Sequence, residues 1–241
     1  MQIGPFHFRP SPFIALVTAV VVIALSALGF WQLDRAEGKA SVLETYRERR
    51  DEPAVRLDLS AQPSEQRYRH VEVRGRFDTE HQFLLDNQVR EGHVGYDVLT
   101  PLRLAGRDQA VLVNRGWVPL EGSREIVPDV EVTAEPVQLS GTVYVPYGEG
   151  YRLGEMDAGE IGWPRRVQYL DFEAMEERLG YPLADLTVRL DPGEPYGYER
   201  DWQAVPFGPE RHIAYAVQWF AMALAVVVIF ISLNLKRGRA Q

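Results

Sequence analysis

The sequence predicts an α+β protein: an antiparallel, β-rich exported domain held between N- and C-terminal transmembrane helices. Three observations predict it. Two apolar runs without a single charge, residues 13–33 and 213–235, lie at opposite ends of the 241-residue chain. All 34 acidic residues fall between them. That middle block alternates apolar and polar residues in short runs, with no regular βαβ repeat.

The spans come first. Each run has about 20 residues, which at 1.5 Å of rise per residue crosses roughly 30 Å of hydrocarbon. A tail of residues 1–12 precedes the first span, residues 13–33. The second span, residues 212–235, precedes a tail of residues 236–241. The tails carry Arg9 on one side and Lys236, Arg237 and Arg239 on the other, with no acid. Basic flanks stay cytoplasmic. The expected topology is two-pass, with both termini cytoplasmic and residues 34–211 exported. Residues 1–26 also fit a cleaved signal peptide ending at Ala24-Leu25-Ser26. The apolar run continues to Leu33, which favours a retained anchor, and the middle block is exported either way.

Within that block, residues 34–50 read as a helix, with Leu43 and Tyr46 at helical spacing and Pro53 as the stop. The first span is expected to continue outward as this helix. Residues 68–77 alternate as a half-buried strand does, and residues 82–86, 94–104, 110–118 and 137–145 are similar runs. Gly92, Gly106 and Gly122 punctuate them, and Gly106-Arg-Asp108 joins two strands as a hairpin. Residues 167–170 form a short strand. Asp171 caps a helix over residues 172–179, ended by Gly180 and Pro182. Residues 186–190 close the series. Asp86-Asn87 and Asn114-Arg115-Gly116-Trp117 read as strand ends with turns. Residues 191–211 are rich in Pro and Gly (Pro206 among them), with Tyr196, Tyr198, Trp202 and Phe207 interleaved. These aromatics suit either an interfacial belt or a hydrophobic ligand.

Composition excludes several chemistries. The chain has no cysteine, hence no Cys-x-x-Cys, no thiolate copper or zinc site and no covalent c-type haem attachment. The net charge of −8 and the lack of a basic stripe exclude nucleic acid. His70, His81 and His93 have no metal-ligand spacing. There is no nucleophile elbow, phosphate loop or dinucleotide fingerprint, so no enzyme activity is expected.

The candidate residues lie instead at the outer ends of the two spans. His212, Tyr215 and Trp219 fall within about 60° on a helix advancing 100° per residue. They present an imidazole, a phenol and an indole on one face. Imidazole is a strong neutral metal ligand, and the aromatics suit a large planar partner. Interfacial hydrogen bonding to headgroups or water is the alternative for His212. On the first span Trp31 and Arg35 share a face, and with Gln32 they lie at the depth of His212. Arg35 suits an acidic group at the interface; a plain Trp/Arg anchor is the alternative.

Four words now combine into a resemblance. They are Leu28-Gly-Phe-Trp-Gln-Leu-Asp-Arg35 with Lys39; Val73-Arg-Gly-Arg-Phe-Asp78 with Gly92 and Gly95-Tyr-Asp-Val-Leu-Thr-Pro-Leu102; Leu112-Val-Asn-Arg-Gly-Trp-Val-Pro119; and Pro209-Glu-Arg-His-Ile-Ala-Tyr-Ala-Val-Gln-Trp-Phe220. In this order, between terminal spans, they resemble the Surfeit locus protein family of cytochrome c oxidase assembly factors, and a bacterial member in particular. The resemblance implies a protein of the bacterial plasma (inner) membrane with a periplasmic central domain. It implies haem a as ligand, with insertion into oxidase subunit I assisted, and His212 as ligand to the haem iron. Trp219 and Tyr215 against the porphyrin, and Trp31 and Arg35 near a propionate, extend that implication. Oxidase subunit I, other oxidase assembly factors and the lipid bilayer are the expected partners. A cofactor-free membrane chaperone of an oxidase assembly intermediate remains the alternative.

Overall fold

The computed structural model describes residues 2–3, 6–8, 10–146, 162–205 and 207–237. Arg9, Pro206 and Arg239 lie outside the described residues. In chain order the elements are β1 (Gln2–Ile3), β2 (Phe6–Phe8), α1 (Pro12–Asp51), β3 (Val55–Arg56), β4 (His70–Phe77), β5 (Phe83–Arg90), β6 (His93–Leu104), β7 (Ala110–Pro119), β8 (Pro136–Tyr144), β9 (Arg165–Val167), α2 (Phe172–Leu179), β10 (Leu183–Leu190), α3 (Pro209–Asn234) and β11 (Leu235–Arg237). They form two compact units, Met1–Glu44 with Ala204–Gln241, and Thr45–Gln203.

The first unit is a helix hairpin. Its two helices are long and apolar enough to cross a membrane. Only 6% and 11% of their most apolar windows are buried, which rules out the core helices of a soluble protein. Phe13, Leu16, Ile23, Val217, Leu224 and Leu233 all point outward. Burial on α1 recurs at Ala15, Thr18, Val22, Leu25, Gly29 and Gln32, and on α3 at Ala216, Trp219, Ala223, Val226 and Phe230. Steps of three and four are those of left-handed helix pairing, and the small residues permit close approach where lipid supplies no hydrophobic drive. At the far end β2 pairs antiparallel with β11, Phe8 opposite Leu235. The Phe8 ring meets Phe230 edge-on at 5.9 Å. The segments before α1 and after α3 therefore lie together.

α1 has 40 residues without a break, roughly 60 Å at helical rise. That is about twice the hydrocarbon thickness. Its polar continuation carries Tyr46 and Arg49 into the second unit, where the Tyr46 hydroxyl donates to the Trp202 carbonyl at 3.2 Å. Arg49 donates to the Glu65 and Arg67 carbonyls at 3.0 and 2.6 Å.

The second unit is β-rich and α+β, as its alternation predicts. Eight strands run in the order β3-β4-β8-β10-β7-β6-β5-β9, and β4 also pairs with β6. That pairing closes β4, β8, β10, β7 and β6 into a small barrel. Five pairings are antiparallel, while β10–β7, β3–β4 and β5–β9 are parallel. Val71, Val73, Leu102, Val111, Val113, Leu139, Val143, Leu186, Val188 and Leu190 fill its interior. Because strand side chains alternate, Asp185, Thr187 and Arg189 of β10 face the other way. Outside the barrel α2 packs Met175 and Leu179 over Phe83, Leu99 and Leu112. The Asp171 carboxylate accepts from the Ala174 N–H at 3.1 Å, and Gly180 is left-handed at φ 72°.

Gly75 sits where β4 crosses onto β6, opposite Leu104. A Cβ there would collide with the Arg103 carbonyl oxygen, so closure needs glycine.

Asn114-Arg115-Gly116-Trp117 is not a strand end. It lies within β7, and Arg115 is 2% exposed. Its Nε donates to the Tyr196 carbonyl at 2.7 Å. Nη1 donates to the Val130 carbonyl at 2.8 Å and to Gln82 Oε1 at 3.1 Å, and Nη2 to the Glu131 carbonyl at 2.9 Å. Burial lowers its pKa, opposed by Tyr198. Gly116, at φ 115°, lets the 196–199 segment lie against β7, since a Cβ would sit 2.7 Å from the Glu199 carbonyl oxygen. Asp86-Asn87 is likewise mid-strand, at the register shift of β5 against β6, with Asn87 at φ 58°. The aromatic segment after β10 is built into this unit as far as Gln203: Tyr198 stacks under Arg115 at 5.0 Å, and the Trp202 indole N–H donates to the Leu190 carbonyl at 2.7 Å.

Asp78, just past β4, is a second junction. Its Oδ2 accepts from the Tyr181 hydroxyl at 2.7 Å and from His81 Nδ1 at 2.8 Å. Burial pushes its pKa up, but these hydrogen bonds outweigh burial and leave it below 3.8.

Three outcomes are expected in detergent-solubilised full-length protein. Gly75→Val lowers stability by about 3 kcal/mol or more through overpacking at the barrel seam, read by urea unfolding. Arg115→Met strands the Tyr196, Val130 and Glu131 carbonyls and costs about 3 kcal/mol or more; a loss under about 1 kcal/mol would contradict the hub. Asp78 stabilises the fold above its ordinary pKa, and that contribution is lost as pH falls through its lower folded value. Asp78→Asn therefore unfolds more easily at neutral pH, and the gap to wild type narrows in acid below pH 3.8. A pH-independent gap would contradict this.

Candidate functional site

The hairpin contains polar side chains where its apolar runs end, and they meet. Gln32 is half-buried on the paired face of α1, and His212 is half-buried one turn into α3. His212 Nδ1 lies 2.8 Å from Gln32 Oε1. An amide oxygen only accepts, so Nδ1 donates; in the neutral ring Nε2 then keeps its lone pair. Tautomer and ring orientation are thereby set in the way that outer partners set metal-ligating histidines.

The floor beside this pair is Gly29, which is buried. The Phe220 ring fills the space a side chain would take; a Cβ on Gly29 would sit 2.7 Å from it. Phe220 also meets Phe30 edge-on at 5.2 Å. Gly29 and Phe220 thus set the helix spacing at which Gln32 reaches His212.

The five residues singled out in the sequence divide into two groups. His212 and Trp219 are both half-buried and two turns apart on α3. Tyr215, at 41% exposed, points outward from the same stretch. Trp31 is 50% exposed, and the Arg35 guanidinium stacks over its ring at 5.6 Å. Among the described residues, no hydrogen bond, ion pair or ring contact joins Trp31 or Arg35 to His212. The α1 residue that does reach His212 is Gln32. The sequence held its signal: a lone amide beside an apolar run needs a partner on the neighbouring helix.

Chemically, the site offers one imidazole oriented by Gln32, with the Trp31–Arg35 stack on α1 and with Trp219 and Phe220 two turns further along α3. Among the described residues no three His, Cys, Asp or Glu side chains gather as a cage for a bare metal ion. One nitrogen donor among aromatics instead suits a metal carried inside a planar, apolar ligand that supplies the other coordination positions.

Comparison with known proteins identifies relatives of the chain. A family model described as SURF1 family matches residues 19–224, which include both Gln32 and His212. A SURF1-like protein of Monosiga brevicollis is 26% identical over 236 residues, covering 90% of this chain and 86% of that protein. Surfeit locus protein 1 of Arabidopsis thaliana is 23% identical, covering 83% and 71%. A SURF1-like protein of Rickettsia bellii is 24% identical, covering 89% and 88%.

The geometry predicts a crosslink. In this cysteine-free chain, the double variant Gln32→Cys, His212→Cys is expected to join within one chain under mild oxidation or with a short bifunctional thiol reagent. Adding Gly29→Leu displaces Phe220 and should reduce the yield several-fold. Equal yields with and without Gly29→Leu would remove Gly29 from the spacing argument.

Proposed function

This chain belongs to the SURF1 family, and on that premise we propose that it is a non-enzymatic assembly factor for haem-copper cytochrome c oxidase, which binds haem a and assists its insertion into subunit I. The observation that carries this reading is the His212–Gln32 hydrogen bond at 2.8 Å, which orients the ring and leaves its other nitrogen without a hydrogen-bond partner among the described residues, where two apolar helices end.

The residues present fit such a cargo. Haem a joins an iron that takes an axial imidazole, a porphyrin face, a long isoprenoid tail and charged propionates. His212 Nε2 would hold the iron. Trp219 and Tyr215 would pack against the porphyrin. Arg35, stacked on Trp31, would pair with a propionate by charge-assisted hydrogen bonds. The outward faces of α1 and α3 are apolar and would leave the tail in lipid. Haem is cargo here and supplies no chemistry to this chain. A single protein ligand suits release as much as capture.

The basic tails favour cytoplasmic termini, and the acidic domain then lies in the periplasm of a bacterial inner membrane. There the second unit would dock oxidase subunit I or another assembly factor.

The test is spectroscopic. Protein purified in detergent from cells that make haem a should carry the pigment, and His212→Ala should lose more than about nine-tenths of it. Gln32→Leu keeps the ligand but frees the ring, and should weaken haem binding by about 10- to 100-fold. Unchanged haem content in His212→Ala would remove His212 from the mechanism. Haem-free wild-type protein that co-purifies with subunit I would establish a cofactor-free chaperone in its place.

A further inference from the structure

On the outer face of the barrel wall, the second unit holds a cleft of about 880 Å³. That volume lies within the range of small-ligand sites. Its floor is a polar row across three strands: Asp97 on β6, Asn114 on β7, Thr187 and Arg189 on β10. Arg189 lies opposite Asn114 in the β10–β7 register, and Asn114 Nδ2 donates to Asp97 Oδ2 at 2.9 Å.

Among the described residues, three atoms of this row have no hydrogen-bond partner: Asp97 Oδ1, Thr187 Oγ1 and Arg189 Nε. Asp97 is 6% exposed and Thr187 1%. Arg90 approaches Asp97 Oδ1 only to 3.6 Å. The Arg189 guanidinium stacks 3.8 Å over the Tyr144 ring and 5.3 Å from Trp202, and its Nη1 donates to the Gln203 carbonyl at 3.3 Å. Among the described residues it has no carboxylate in ion-pair range. Burial accordingly lowers its pKa, with Tyr144 and Asp97 opposing. Orphaned buried polar atoms are rare, and three in one cleft describe what would fill it.

The set is a cationic donor, a hydroxyl and a carboxylate acceptor side by side. Its complement is an oxygen acceptor next to a nitrogen donor. The cleft's rim adds the exposed carboxylates of Glu173 and Asp185, and its walls add Phe172 and Leu170. We propose that this cleft binds an α-amino-acid-type group with a basic side chain, supplied either as the free amino acid or as a residue of a polypeptide. The carboxylate or carbonyl oxygen accepts from Arg189 Nε and Thr187 Oγ1. The nitrogen donates to Asp97 Oδ1. The side-chain cation lies towards Glu173 and Asp185. This site stands independently of the haem reading.

Calorimetric titration of the detergent-solubilised full chain tests it, with L-arginine, N-acetyl-L-arginine amide and L-glutamate as probes. At least one arginine probe should bind saturably, and glutamate should not. Tighter binding of free arginine identifies a free amino acid; tighter binding of the capped form identifies a polypeptide residue; either supports the site. Asp97→Asn and Thr187→Val should each weaken binding about 10-fold or more. Thr187→Val removes a hydroxyl that has no partner among the described residues, so it should melt no lower than wild type, which keeps the test clear of misfolding. Absence of binding by both arginine probes, or affinity unchanged in Thr187→Val and Asp97→Asn, overturns the proposal. So does glutamate binding as tightly as arginine.

Discussion

A guanidinium removed from water costs several kcal/mol unless its donors find acceptors, and in the second unit Arg115 meets that demand with chain rather than with charge. Its four shortest hydrogen bonds go to three backbone carbonyls, from Tyr196, Val130 and Glu131, and to the Gln82 amide. No regular strand supplies those carbonyls. Two irregular segments are therefore held to the barrel by one side chain, which in turn needs both of them to remain buried. The segment after β10 leads on to Trp202, whose ring stacks with Arg90 and Arg189 and whose carbonyl accepts from Tyr46 on α1. The last turns of the long helix and the polar floor of the cleft thus share an anchor.

The hairpin obeys the same rule in a different solvent. Hydrocarbon offers no acceptor for an imidazole N–H, so a histidine at the end of an apolar helix must be satisfied by the neighbouring helix or by the interface. Gln32 satisfies one nitrogen of His212, and satisfying only one is what the proposed role requires. A histidine bonded at both nitrogens would be a structural clasp. Bonded at Nδ1 alone among the described residues, it has the arrangement that a directed donor needs. Small residues at the seam matter because the 2.8 Å contact exists only at the spacing that Gly29 and Phe220 allow.

Much of this was legible because it is local. Alternation marked β4, β6, β7 and β8 almost to the residue, and Asp171 and Gly180 marked both ends of α2. The parallel pairing of β10 with β7 was not legible, since neither strand carries a sign of its neighbour's direction. Barrel closure was hidden in Gly75, whose necessity lies in the carbonyl of a residue 28 positions later. Asn114-Arg115-Gly116-Trp117 was misread because Asn, Arg and Gly together usually mark a turn. Inside a strand, the same residues mean a buried hub and a close backbone approach. His212 was found by its place at a helix end. Its partner was passed over for Trp31 and Arg35, whose larger side chains suggested contact that the helix faces do not provide.

The contrast between satisfied and unsatisfied groups separates structure from function within one domain. Arg115 and Arg189 lie on neighbouring strands, Arg115 buried and Arg189 half-buried, and among the described residues neither has a carboxylate partner in ion-pair range. Burial lowers the pKa of each. Arg115 donates from Nε and both terminal nitrogens, whereas Arg189 leaves Nε open beside the unpartnered Thr187 hydroxyl and Asp97 oxygen. A fold that needed only stability would gain from replacing Thr187 with valine, because the hydroxyl returns nothing for its desolvation. Stability alone does not account for a polar row kept under an open cleft. Binding does, because a ligand that supplies the missing acceptor and donor converts three unfavourable burials into favourable ones at once.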